Sequence, residues 1–194
     1  MIGNEYRLVM LGGGGFGRFS VSSIMVPVRG LAAVLSVGLL LLTGCGGVDS
    51  SLTERESAAE KLAFQATTVE GKSFDGTSLI DRDVVLYFWA PWCPVCRDEI
   101  RDIAAVAKEF EGRGMRVIGV ASLGDLSAMT DFVTDTGTEE LTHLADIEGT
   151  IWSRFGVTRQ YTAAFVDDGG SVEVVSGPFT REDLENRVTA LLEK

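Results

Sequence analysis

The sequence predicts an α/β fold, a mixed central sheet flanked by helices with a β-hairpin at its N-terminal side. Three observations predict it. Apolar periodicity sets out the elements in the order β-β-β-α-β-α-(short β)-α-β-β-α. Two dense apolar strands are separated by an amphipathic helix, a crossover that makes neighbouring strands parallel. Two later strands meet across a pair of glycines, which makes them antiparallel. With 45% apolar residues in 194, the chain can build one core of ordinary size, and a second full domain is not expected.

The elements follow in order. "KLAFQATTVEGKSFDGTSL" alternates and breaks at Glu70-Gly71, the pattern of a hairpin. "DVVLYFWA", Asp83 to Ala90, is a β-branched and aromatic run and reads as a buried central strand. Pro94 to Glu111 places Ile100, Ile103, Ala104, Ala107 and Phe110 on one face and charges on the other, a helix expected to end at Gly112. "MRVIGVAS" is a second buried strand, "LSAMTDFVTDTG" a helix and "GTIWSRFG" a short one. "TAAFVDD" and "VEVVSG" form a hairpin turning at Gly169-Gly170. "TREDLENRVTALLEK" closes the chain as a helix, with Thr180 as cap and Asp183 at the capping-box position.

The region before these elements has a different composition. Arg29 precedes an apolar run from Leu31 to Leu42, and Leu42-Thr43-Gly44-Cys45 follows. Charged residue, short apolar core and small residues in that order make a secretory signal, and the core is shorter than the roughly 20 residues of a membrane-spanning helix. The Leu-Thr-Gly-Cys ending resembles the bacterial lipobox. That resemblance implies cleavage before Cys45 and a lipid on its sulfur, with 1–44 as signal peptide. Met25 begins a signal of ordinary length, so 1–24 is expected to lie upstream of the true start. Residues 45–60 have few large apolar side chains and read as a solvated tether, leaving 61–194 as the folded domain.

Charge excludes some partners. Residues 1–44 carry three arginines and one acid, so the rest holds 14 basic and 27 acidic groups, a net −13 that repels nucleic acid and anionic headgroups. Gly12, Gly14 and Gly17 satisfy G-x-G-x-x-G literally, but a secretion signal follows where a nucleotide site needs a helix and a parallel sheet, so no nucleotide is expected.

The chemistry centres on "WAPWCPVC". Cys93 and Cys96, two residues apart, could be a redox couple, half a metal site or a staple. Structural zinc needs four ligands, and beyond this pair the exported region offers only carboxylates and His143, the one histidine of the chain, so no metal and no cofactor are expected. Copper held by the cysteines and His143 stays as an alternative. A strand that ends at the first cysteine and turns into a helix puts Cys93 at the helix N-terminus, where free N–H groups and the dipole favour a thiolate with a pKa below about 8.5. Cys96 lies one turn on, packed inward. On this reading Cys93 attacks and Cys96 resolves, with Pro94 at the first helical position holding the turn.

Trp89 to Cys96, the preceding hairpin, "FGV…AFVDDGG" and the order of elements resemble the thioredoxin fold. Within it they are most similar to membrane-tethered thiol–disulfide oxidoreductases of the cytochrome-c-maturation and secreted disulfide-exchange kind. Peroxiredoxins are relatives, but their peroxidatic motif is absent. The resemblance covers roughly 61–194 and implies a Cys93/Cys96 redox pair shaped by Trp92 and Pro94. The implied partners are exported protein thiols or disulfides and a membrane redox partner, with the chain anchored at the cell membrane and facing away from the cytoplasm. Glu99 matches a carboxylate that tethered members carry near the pair for proton movement; the residue pattern alone also allows a solvated helix position.

Two departures stand out. Cytoplasmic thioredoxin has a buried aspartate at the place of Tyr87, so here Glu99 serves in its stead or nothing does. The family's cis-proline falls at Tyr161. A cis bond before a non-proline residue costs about 2.5–4 kcal/mol, which predicts a trans, reshaped loop in which Gln160 and Tyr161 supply the substrate contacts. The expected activity is thiol–disulfide exchange with exported proteins; the alternative is a non-catalytic lipoprotein of the same fold that binds a partner or copper through the same cysteines.

Overall fold

The computed structural model describes residues 58–194. The expected signal sequence, the Met25 start, Cys45 and most of the tether lie outside them. A helical turn over 58–62 leads in, and Ala58 and Leu62 pack into the core, so the packed chain takes in the last residues of the expected tether. The hairpin follows as β1 (Gln65–Thr67) and β2 (Ser73–Asp75), in the register Gln65 to Asp75, with Gly71 in the left-handed region at its turn.

The main sheet has five strands: β3 (Val84–Trp89), β4 (Arg116–Ala121), β5 (Thr142–Ala145), β6 (Thr162–Val166) and β7 (Val172–Ser176). Their spatial order is β5-β4-β3-β6-β7. Strands β3, β4 and β5 run parallel, and β6 and β7 run antiparallel to their neighbours, as the crossover and the glycine hairpin require. The helices are α1 (Pro94–Phe110), α2 (Leu126–Thr136), α3 (Thr150–Arg154) and α4 (Arg181–Leu192).

Strand β3 is the centre of the sheet and every residue of it is buried. Its side chains alternate between two cores, as a pleated strand demands. Val85, Tyr87 and Trp89 join a cluster with Cys93, Cys96, Ile100, Ile103 and Phe132. Val84, Leu86 and Phe88 join another with Leu62, Ile118, Leu144, Trp152 and Phe155. Each fully buried large apolar side chain contributes about 1.5–3 kcal/mol, so both faces hold the sheet.

Two boundaries differ from expectation. Helix α1 ends at Phe110 and tightens into a 3-10 turn over Glu111–Arg113, and the left-handed stop is Gly114 (φ 89°), not Gly112. A glycine suits that stop because it carries no Cβ to clash. The buried stripe of α1 also includes Cys96, Glu99 and Val106, whereas Ala104 and Ala107 are only half-buried. At α4 the expected capping box is present: the Asp183 amide donates to the Thr180 hydroxyl, and the Asp183 carboxylate accepts from the Thr180 amide.

Candidate active site

The site lies where β3 ends and α1 begins. The Cys93 amide donates to the Ala90 carbonyl (3.1 Å), closing a turn after the strand. Cys93 then sits at the N-cap with extended backbone, and Pro94 opens the helix without an N–H that would lack a partner there. The Cys96 amide points at Cys93 Sγ (3.0 Å). The two cysteines are joined as a disulfide, with Cα atoms 5.3 Å apart.

Exposure does not tell the two sulfurs apart, because Cys93 is 2% and Cys96 0% accessible. Position does. Cys93 stands at the N-cap, at the positive end of a 17-residue helix with an amide aimed at its sulfur, whereas Cys96 lies inside the first turn. Trp92 projects outward, 57% exposed, and its indole N–H donates to the Leu123 carbonyl (2.8 Å) in the loop after β4. The ring is therefore exposed, one residue before Cys93, while its polar edge is tied down.

Glu99 is buried, 5% exposed, and this settles the choice between a solvated and an inward-facing residue. Its Oε2 accepts from the Tyr87 hydroxyl and its Oε1 from the Phe179 amide, each at 2.6 Å. Burial pushes the Glu99 carboxyl above its ordinary value; these two donors pull it back, and Asp102 and Asp98 add to the upward push. Burial, with Glu99 alongside, raises the Tyr87 phenol well above its usual range, so it stays protonated and can donate.

Tyr161 occupies the loop before β6, and since Thr162 pairs with Phe88 near the end of β3, that loop lies on the cysteine side of the sheet. No peptide bond among the described residues is cis. Tyr161 instead takes a left-handed backbone (φ 50°), uncommon for a non-glycine residue, with its carbonyl accepting from the Gly177 amide (3.1 Å). Its side chain is half-buried against the cluster that holds the cysteines, and Gln160 beside it is also half-buried.

His143 is fully buried on β5, away from solvent. Its Nε2 meets the Thr138 carbonyl (3.1 Å), and its ring stands edge-on to Trp89. Burial lowers its pKa to about 4, so the ring is neutral at physiological pH. Among the described residues no group of three or more His, Cys, Asp or Glu side chains is arranged to hold a metal ion. No helix among them is long and apolar enough to cross a membrane.

A sheet of this order, with a Cys-x-x-Cys disulfide between its central strand and the following helix, defines a thioredoxin-fold thiol–disulfide oxidoreductase. Sequence and structural relatives agree. The chain belongs to the AhpC/TSA family, whose profile matches residues 58–175. It is 33% identical over 174 residues to the soluble secreted antigen MPT53 of Mycobacterium tuberculosis, spanning 88% of this chain and 96% of that one. The structure of M. tuberculosis DsbF, in mixed oxidised and reduced forms, superposes with a TM-score of 0.65 at 42% identity, covering 68% of this chain and 97% of DsbF. A secreted M. tuberculosis disulfide oxidoreductase homologous to E. coli DsbE gives a TM-score of 0.64 at 36% identity, over 68% and 98%. The chain therefore carries out thiol–disulfide exchange.

Of the residues singled out in the sequence, Cys93, Cys96, Trp92 and Pro94 form one turn, with Glu99 further along the same helix. Cys45 lies outside the described residues. The sequence reading did not foresee the Phe179 amide, the Leu123 carbonyl or the bond between Tyr87 and Glu99. Tyr87 shares the strand face of Val85 and Trp89, and Glu99 lies three residues after Cys96, but no local signal pairs the two.

Proposed function

We propose that the protein is exported, tethered by lipid at Cys45, and exchanges disulfides with other exported proteins and with a membrane redox partner that resets it. The observation that carries the reading is Cys93 at the N-cap of α1, with the Cys96 amide on its sulfur and the Cys96 sulfur in reach. In the reductive direction the Cys93 thiolate attacks a substrate disulfide; a Cys93–substrate bond forms and the first substrate thiolate leaves. Cys96, as thiolate, then attacks Cys93 Sγ. The internal disulfide forms and the second substrate thiolate leaves. Run backwards, the same two steps donate the disulfide. Direction follows the difference in potential between the pair and its partner, about 30 mV for each 1.4 kcal/mol.

Glu99 takes the proton from Cys96 as it becomes the attacking thiolate and returns it in the reverse step. Gln160 and Tyr161 contact the substrate backbone in place of the usual proline loop, and Trp92 and Pro94 shape the rim. The signal-like segment before Cys45 and the secreted relatives support the extracytoplasmic setting.

In cells, Cys96→Ser is expected to accumulate mixed disulfides with exported proteins, seen on non-reducing gels as bands that collapse on reduction and identified by mass spectrometry, and Cys45→Ala to move the chain from the membrane to the soluble fraction. A Cys96→Ser chain that traps nothing would favour the binding-only alternative.

A further inference from the structure

We propose that the Tyr87 hydroxyl is a positioning group for the exchange reaction: with the Phe179 amide it clamps the Glu99 carboxylate, and it is the partner that follows Glu99 through its change of charge. The inference rests on the reading of Glu99 as the proton acceptor for Cys96 and adds a residue that reading does not contain.

The geometry has three parts. Glu99 leaves α1 near its N-terminus, and its two oxygens are held by two other elements: Oε2 by Tyr87 of β3, Oε1 by the amide just before the cap of α4. Tyr87 is 0% exposed, its ring fixed in the cluster that includes Cys96, so the hydroxyl cannot turn away into solvent. The charged groups near the carboxylate are Asp98 and Asp102 of its own helix; β3 brings the Tyr87 phenol and the segment before α4 brings only an amide. Two neutral donors thus hold a carboxylate that burial and two like charges disfavour.

The two donors are not equivalent. An amide N–H can only donate, so Oε1 remains an acceptor in either state of Glu99. A phenol can donate or accept. When Cys96–SH gives its proton to Glu99, the proton is received at Oε2, and the Tyr87 hydroxyl rotates from donor to acceptor. The products are a Cys96 thiolate and a neutral Glu99 carboxyl; the thiolate then forms its bond to Cys93 Sγ as the substrate thiolate leaves, and no other redox partner is consumed. Without the phenol the carboxylate keeps one donor instead of two, and its protonated form is favoured at higher pH.

The experiment follows the resolution step alone. Reduced protein mixed with 5,5′-dithiobis(2-nitrobenzoate) forms a Cys93 mixed disulfide, and Cys96 releases the second thionitrobenzoate; its rate is measured by stopped flow from pH 4 to 9. Glu99→Gln is expected to remove the carboxyl-dependent inflection of the profile. Tyr87→Phe is expected to keep it, displaced to higher pH, because the hydrogen bond that favours the carboxylate is lost. Tyr87→Phe combined with Glu99→Gln should match Glu99→Gln alone. Site-specific incorporation of 3-fluorotyrosine at position 87, which preserves the packing and makes the hydroxyl a stronger donor, should displace the inflection downward, a readout that does not depend on how well Tyr87→Phe folds. If Glu99→Gln removes the inflection but neither change at Tyr87 moves it, the phenol only fills space and the positioning role is overturned. If Glu99→Gln itself leaves the profile unchanged, the reading of Glu99 as proton acceptor fails first.

Discussion

The two faces of the sheet are built from the same alternating strands yet treat their buried polar groups differently. On the face of Phe88, Asp146 accepts from the Ile151 amide (3.0 Å), the Trp152 amide (2.9 Å) and the Thr150 hydroxyl (3.1 Å), and the Trp152 indole donates to the Val120 carbonyl (3.1 Å). On the face of Tyr87, Glu99 is held by two donors, while Trp89 Nε1 and His143 Nδ1 have no hydrogen-bond partner among the described residues. The satisfied face is a foundation. The other face borders the cysteines and holds the two unpartnered ring nitrogens, and an incompletely satisfied polar group is costly enough to require a reason.

That contrast can be broken on the foundation side first. Asp146→Ala leaves two buried amides at the start of α3 without an acceptor and is expected to cost about 2–4 kcal/mol in urea unfolding, with the pH profile of disulfide exchange unchanged. A large change in the profile would mean that the two faces are coupled.

Next in size is a pH effect. His143 falls from 6.5 to about 4 on folding, so between those values the unfolded chain binds a proton that the folded chain refuses. Stability is then complete above about pH 6.5 and declines as pH falls, by up to about 3 kcal/mol near pH 4. Glu99 acts in the opposite sense over an overlapping range. Its folded value is raised, so the folded chain holds the extra proton and stability declines as pH rises from 4.5 through that value. Unfolding free energies of His143→Gln and Glu99→Gln against pH are expected to tilt in opposite directions from wild type. Parallel curves would contradict the assignment.

A smaller effect tests the gap between the orphaned atoms. A methyl group at Gly119 on β4 would collide with His143 Nδ1 and come within 2.9 Å of Trp89 Nε1. Gly119→Ala is expected to cost about 1–3 kcal/mol and to displace the Trp89 fluorescence, because the strand on that face cannot yield without moving both rings.

The element order was legible in the sequence because period and turn chemistry are local signals: Val84–Trp89 is dense and apolar, Gly169-Gly170 turns the chain, and Thr180 caps α4. The cysteine turn was legible for the same reason. The Tyr87–Glu99 bond was not, since it joins a strand to a helix twelve residues on and depends on which side of the helix meets the sheet. Glu99 lies among charged residues in sequence, and only packing turns it inward. At Tyr161 the departure from proline was visible, but the left-handed backbone was not, because tyrosine, unlike glycine, gives no local signal for it. Likewise, nothing local marks Phe110 rather than Gly112 as the end of α1, which runs on as a 3-10 turn to Gly114.

The most direct test of the account is site-resolved alkylation of the reduced protein with iodoacetamide across pH, read by mass spectrometry. The account predicts that Cys93 is modified first, with an apparent pKa below about 8.5, and that Cys96 lags behind it at every pH. Equal rates at the two cysteines, or Cys96 modified ahead of Cys93, would contradict the division into attacking and resolving sulfur on which the mechanism stands.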